Sequence, residues 1–127
     1  MSSSNPSPLV KRIRSFKYAF EGCRHVIRSQ PNAWIHAAIM VAVIGIAYWL
    51  RLPARDWAVL VLTFTVVWMA EFANTALEAI VDLSSPDLHP LAKVAKDVSA
   101  GMVLVGAVGA ILIGLLILGR PLAARLF

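Results

Sequence analysis

Glu71-Phe72-Ala73-Asn74-Thr75-Ala76-Leu77-Glu78-Ala79-Ile80-Val81-Asp82 sets two glutamates, an asparagine and an aspartate into a run that is otherwise apolar. At ~100° per residue, Glu71, Asn74, Glu78 and Asp82 fall within roughly 80° of one helix face. A charge near the centre of a bilayer costs ~2.5–3.5 kcal/mol on insertion scales, so a span that keeps three acids on one stripe uses them. Carboxylates with an amide oxygen beside them suit a hard divalent cation, and magnesium usually arrives with a phosphate.

Composition places the surrounding chain in a membrane. Hydrophobic residues make up 59% and charged residues 15% of the 127, which form one domain; soluble domains carry about 25% charge. A single cysteine, Cys23, excludes a disulfide framework. Upstream of the acidic stretch, Ala33–Leu50 is uncharged over 18 residues, about 27 Å as a helix and enough to cross. Trp57–Val81 is a second apolar run, ending in the acids, and Val98–Leu118 is a third, carrying Gly101, Gly106, Gly109 and Gly114. Arg51–Asp56 is a polar turn between the first two, and Ser84–Asp87 with His89-Pro90 breaks the chain between the last two. Trp34, Tyr48, Trp49 and Trp57 lie near span ends, as interfacial aromatics do.

The +5 net charge is unevenly distributed. Lys11, Arg12, Arg14, Lys17, Arg24 and Arg28 precede the first span, opposed by Glu21 alone, and five of the seven acids lie between Glu71 and Asp97. Residues 1–8 read as a disordered N-terminus without signal-peptide features. From Leu9 to Ser29, Leu9, Ile13, Phe16, Phe20, Cys23 and Ile27 share one side and the bases another, the pattern of an amphipathic helix lying in the membrane interface. Such bases point to anionic headgroups; nucleic acid is a poor partner for a basic segment followed by three spans. The same bases predict a cytoplasmic N-terminus, which puts Glu78 and Asp82 at the cytoplasmic end of their span. Glu71 then lies about 16 Å inward of Asp82.

A second polar cluster, His89-Pro90-Leu91-Ala92-Lys93-Val94-Ala95-Lys96-Asp97, opens the third span. Lys93, Lys96 and Asp97 share an arc of about 100°, suited to holding phosphate oxygens. The chain has neither a Gly-x-x-x-x-Gly-Lys-Ser/Thr loop nor a protein-kinase signature. His25 and His36, taken alone, read as packing or interfacial residues.

Glu-x-x-Asn-Thr-Ala-x-Glu-x-x-x-Asp followed by His-Pro-Leu-Ala-Lys-x-Ala-Lys-Asp resembles the small bacterial integral-membrane diacylglycerol kinase and undecaprenol kinase family, over about Phe16 to Leu118. The resemblance implies an all-α membrane protein with a surface helix (9–29), three spans (about 33–50, 57–83 and 93–118) and a C-terminal tail (120–127). It further implies a homotrimer in the bacterial inner membrane, with cytoplasmic sites that pass the γ-phosphate of magnesium ATP to a lipid alcohol. Glu71 matches the family's catalytic base, and with Asn74 it would meet the lipid. Glu78 matches the metal-binding glutamate. Asp82, Lys96 and Asp97 match nucleotide contacts, with Asp87, His89 and Tyr18 near the nucleotide as well. Where many members place a second metal-binding glutamate, this chain has Gln30, whose oxygen ligates with one less negative charge. The chain is expected to prefer undecaprenol to diacylglycerol, on the wording of residues 89–93. The rival reading is a small proton- or cation-coupled transporter, since intramembrane acids also mark transport paths; Lys93 and Lys96 opposite the acids favour the kinase.

Overall fold

A computed structural model describes residues 7–85 and 89–127. They form four helices: α1 (Pro8–Ser29), α2 (Pro31–Trp49), α3 (Ala54–Ser84) and α4 (Pro90–Leu126). Prolines set the starts. Pro8, Pro31 and Pro90 occupy first helical positions, where a missing N–H costs nothing, and Pro53 caps α3. The expected spans therefore begin two to three residues late, because apolar runs were counted rather than caps. Pro31 also forces the residue before it out of helical geometry. Gln30 sits at φ −108°, ψ 111°, making the elbow between α1 and α2.

The α2–α3 turn closes without glycine. Arg51 takes φ 55°, its N–H donates to the Tyr48 carbonyl (3.0 Å), and the Leu52 N–H reaches back to the Ala47 carbonyl (3.2 Å). This is a Schellman ending with an arginine in the left-handed position. Leu52 packs into a buried cluster with Ala47, Leu60 and Leu118, which joins three helices at this end.

α2, α3 and α4 are each long and apolar enough to cross a membrane. α3 and α4 form the most extensively packed pair. They approach closely where Ala70 meets Gly106: a Cβ at position 106 would stand 3.9 Å from that of Ala70. The other glycines of α4 face open space. At 37 residues, α4 is about 55 Å long, and it outreaches a hydrocarbon core of ~30 Å. The tail expected from residue 120 instead continues the helix through Pro121 to Leu126. Proline there removes one backbone bond without ending the helix, and the Arg125 guanidinium lies 5.5 Å from the Trp49 ring centroid, anchoring the last turns.

Large apolar side chains on every helix remain exposed, the surface of a protein whose solvent is lipid on its spanning part. On α1 the buried residue is Val26; Leu9, Ile13, Phe16 and Phe20 are as exposed as the bases beside them.

Candidate functional site

The acidic stripe of α3 is graded in burial. Glu71 and Asn74 are buried, at 1% and 6% exposure; Glu78 is half-buried and Asp82 exposed. Periodicity puts the four on one face, and the packing of α1, α2 and α4 against α3 sets how far each lies from the surface.

Glu78 is held by two amides. Gln30 Nε2 donates to Oε2 at 2.8 Å, across 48 positions of sequence, and Asn74 Nδ2 donates to Oε1 at 3.2 Å from one turn earlier. The elbow at Pro31 is what brings Gln30 there. Either amide exchanges donor for acceptor by a half-turn, since its two ends fill the same space. Asn74 Oδ1 is buried with no hydrogen-bond partner among the described residues.

Glu71 has a neighbour that the sequence did not disclose. His36 Nε2, on α2, lies 3.0 Å from Glu71 Oε1, as a close polar contact rather than an aligned hydrogen bond. The expectation of a packing or interfacial histidine is thus corrected. The partner lies on another helix, so spacing could not reveal it; the available signal was a titratable ring inside a span, six residues after Gln30. Nearby hydroxyls are satisfied locally, with Thr75 Oγ1 donating to the Glu71 carbonyl at 2.9 Å.

At the end of the stripe, Lys96 Nζ lies 2.5 Å from Asp82 Oδ1, linking α3 to α4. Asp97 pairs with Lys93 one turn earlier on its own helix rather than with Lys96. Asp82 is therefore engaged by a lysine and not gathered with Glu78 and Gln30. His89 acts locally, its Nδ1 accepting from the Leu91 N–H at 3.2 Å and so capping α4. Tyr18 stands exposed on α1, and Asp87 lies outside the described residues. No three His, Cys, Asp or Glu side chains converge among the described residues. The polar centre is one carboxylate flanked by two amides, with a second, deeper carboxylate against a histidine.

A sequence model of prokaryotic diacylglycerol kinase matches residues 17–118. The chain belongs to the prokaryotic diacylglycerol kinase family. Its class is thereby that of a membrane-embedded lipid kinase. A diacylglycerol kinase of Synechocystis sp. is 45% identical over 109 residues, covering 85% of this chain and 62% of that one. An undecaprenol kinase of Bacillus subtilis is 37% identical over 116 residues, covering 91% of this chain and 94% of that one. A diacylglycerol kinase of Escherichia coli is 28% identical over 118 residues, covering 87% and 90%. The match to the prokaryotic diacylglycerol kinase family spans the elbow, the whole acidic stripe and both lysines of α4.

Proposed function

We propose that this protein transfers the γ-phosphate of magnesium ATP to the hydroxyl of a membrane lipid alcohol, with undecaprenol preferred to diacylglycerol. The observation that carries the reading is the graded stripe of α3, with Glu78 between Gln30 and Asn74 near its open end and Glu71 buried further in. That arrangement separates a wet end for nucleotide from a dry end for a lipid hydroxyl.

Phosphoryl transfer asks for positioning and charge neutralisation more than for covalent chemistry. Glu78 with the oxygens of Gln30 and Asn74 suits magnesium, a cation that accepts few protein ligands and keeps phosphate oxygens and water. The unpartnered Asn74 Oδ1 supports this donor set. Magnesium, when bound, offsets phosphate charge. Lys96, beside Asp82, adds a fixed positive charge at the same end. Asp97, Asp87, His89 and Tyr18 remain candidate nucleotide contacts by family resemblance. Asn74 would also orient the acceptor, and Glu71 would take the hydroxyl proton as general base.

We place the site on the cytoplasmic side of the inner membrane, on the strength of the basic α1, and read α1 as an amphipathic surface helix. Three copies would supply the walls that one chain lacks, and the open glycines of α4 favour close approach of a neighbour. Cross-linking in mild detergent checks the trimer: a ladder stopping at two, or extending past three, refutes it. A cation-coupled transporter finds no support among the relatives.

The acceptor preference rests on the wording of residues 89–93 and on the nearly full-length match to the undecaprenol kinase of Bacillus subtilis. Competition tests it, with undecaprenol and dioleoylglycerol at equal mole fraction in one micelle and labelled ATP. Most label is expected in undecaprenyl phosphate; most label in phosphatidate reverses the preference and leaves the kinase intact.

A further inference from the structure

At the end of the bundle away from the acidic stripe, a cavity of about 580 Å³ opens among Tyr48, Trp49, Arg51, Leu52, Trp57 and Arg125. Its two arginines come from separate elements, the α2–α3 turn and the last turns of α4, and both are exposed. Neither forms an ion pair among the described residues. Asp56, the acid nearest to Arg51 in sequence, sits in the first turn of α3, where a helix N-terminus already favours negative charge. The Arg125 guanidinium lies over the Trp49 ring, 5.5 Å from its centroid; contact through its flat face uses none of its N–H donors. Arg51 lines the cavity from a left-handed backbone, φ 55°, that glycine would take at no steric cost. Snorkelling accounts for an arginine at a span end, but not for two from separate elements converging on one cavity without an acid to pair them.

Depth decides what fills such a cavity. From Lys96, beside Asp82, to Arg125 is about 43 Å along α4. A bilayer with its headgroups is ~40–45 Å thick. Lys96 in one headgroup layer therefore puts Arg125 in the other, and Tyr48, Trp49 and Trp57 are of the residue types enriched at that level. The anions of a headgroup layer are lipid phosphates, and a guanidinium fork matches two phosphate oxygens at once. We propose that this cavity binds the phosphate of an anionic phospholipid between Arg51 and Arg125, with the aromatic side chains against the lipid's glycerol and upper acyl chains. The lipid there is a resident ligand and not the phosphate acceptor, because the cavity lies a bilayer's width from Glu78 and Lys96. It joins the α2–α3 turn to the end of α4, so occupancy favours the folded chain by mass action.

The test follows thermal unfolding of the full chain in dodecyl maltoside micelles as dioleoylphosphatidylglycerol, dioleoylphosphatidylcholine or inorganic phosphate is added. Phosphatidylglycerol should raise the midpoint more than phosphatidylcholine, in a saturable way. Arg51→Gln and Arg125→Gln should each raise the mole fraction of phosphatidylglycerol at half-saturation by about tenfold or more, as loss of a hydrogen bond to a charged group does. The bases of α1 also attract anionic lipid, so Lys11→Gln, which removes the same charge elsewhere, serves as the control and should change half-saturation by no more than about twofold. Equal shifts from the two phospholipids in the parent overturn the proposal, and so does equal weakening by Lys11→Gln and Arg51→Gln, which would reduce the effect to net charge. A full shift from inorganic phosphate, lost in both arginine variants, would make the ligand a soluble anion and overturn the lipid assignment. If Arg125→Gln, which also loses the Trp49 contact, does not assemble, Arg51→Gln decides alone.

Discussion

Lys96 on α4 and Asp82 on α3 are joined by an ion pair of 2.5 Å between the two helices. Both side chains are substantially exposed, at 41% and 65%. Such a pair contributes about 0–1 kcal/mol to stability, so its place in the protein is explained by charge rather than by folding. Lys96→Ala should leave the thermal midpoint nearly unchanged while lowering kcat/KM for ATP by about tenfold or more, consistent with a lost contact to phosphate of roughly 1.5–3 kcal/mol. Parallel melting curves and ATP titrations check it; a large loss of stability with normal ATP use would give the lysine to the fold.

Glu71→Gln keeps the shape of a buried side chain and removes its charge. Expression and assembly should persist, and turnover should fall by about 100-fold or more. The measurement is ATP-dependent lipid phosphorylation by purified, size-checked protein. Near-normal turnover would restrict Glu71 to a packing role.

Glu78 and Gln30 invite a paired test. Glu78→Ala should abolish turnover or raise its magnesium requirement steeply. Gln30→Glu puts a second carboxylate where an amide now donates at 2.8 Å. The two acids should repel without cation, lowering the melting temperature in EDTA, and should attract magnesium more strongly when it is present. Identical magnesium titrations of activity and stability for parent and Gln30→Glu would exclude Gln30 as a ligand.

Arg51→Gly relieves a left-handed backbone, φ 55°, that costs a non-glycine residue about 1–2 kcal/mol. The Schellman bonds of the turn need only the backbone, so the variant should be modestly more stable with unchanged kinetics. A drop in melting temperature would show that the arginine side chain outweighs the strain.

The helices were legible because a membrane makes composition decisive: apolar runs separated by prolines and charges leave few alternatives. The face shared by Glu71, Asn74, Glu78 and Asp82 was legible from helical spacing, and Gln30 was reachable through resemblance. What periodicity could not supply was anything set between helices. His36 looked ordinary because its acidic neighbour lies on α3. Lys93, Lys96 and Asp97 share one arc of α4, yet Lys96 reaches Asp82 on α3 while Asp97 stays with Lys93 on its own helix. Arg51 gave no sign of a left-handed turn, since glycine is the residue that usually announces one. The extension of α4 past Pro121 was hidden by a residue that more often ends helices than continues them.

Gln30 is both the elbow between α1 and α2 and a clasp on Glu78. A cation that takes the oxygens of Glu78 competes with that clasp, and a hydrogen bond to a charged group is worth about 1.5–3 kcal/mol. Linkage then runs in both directions: a cation that displaces the amide N–H and draws in the amide oxygen would hold Gln30 beside Glu78 in place of the hydrogen bond, and the elbow's position would set how readily that oxygen arrives. α1 and Glu78 are thereby two ends of one lever, with Pro31 as its fulcrum.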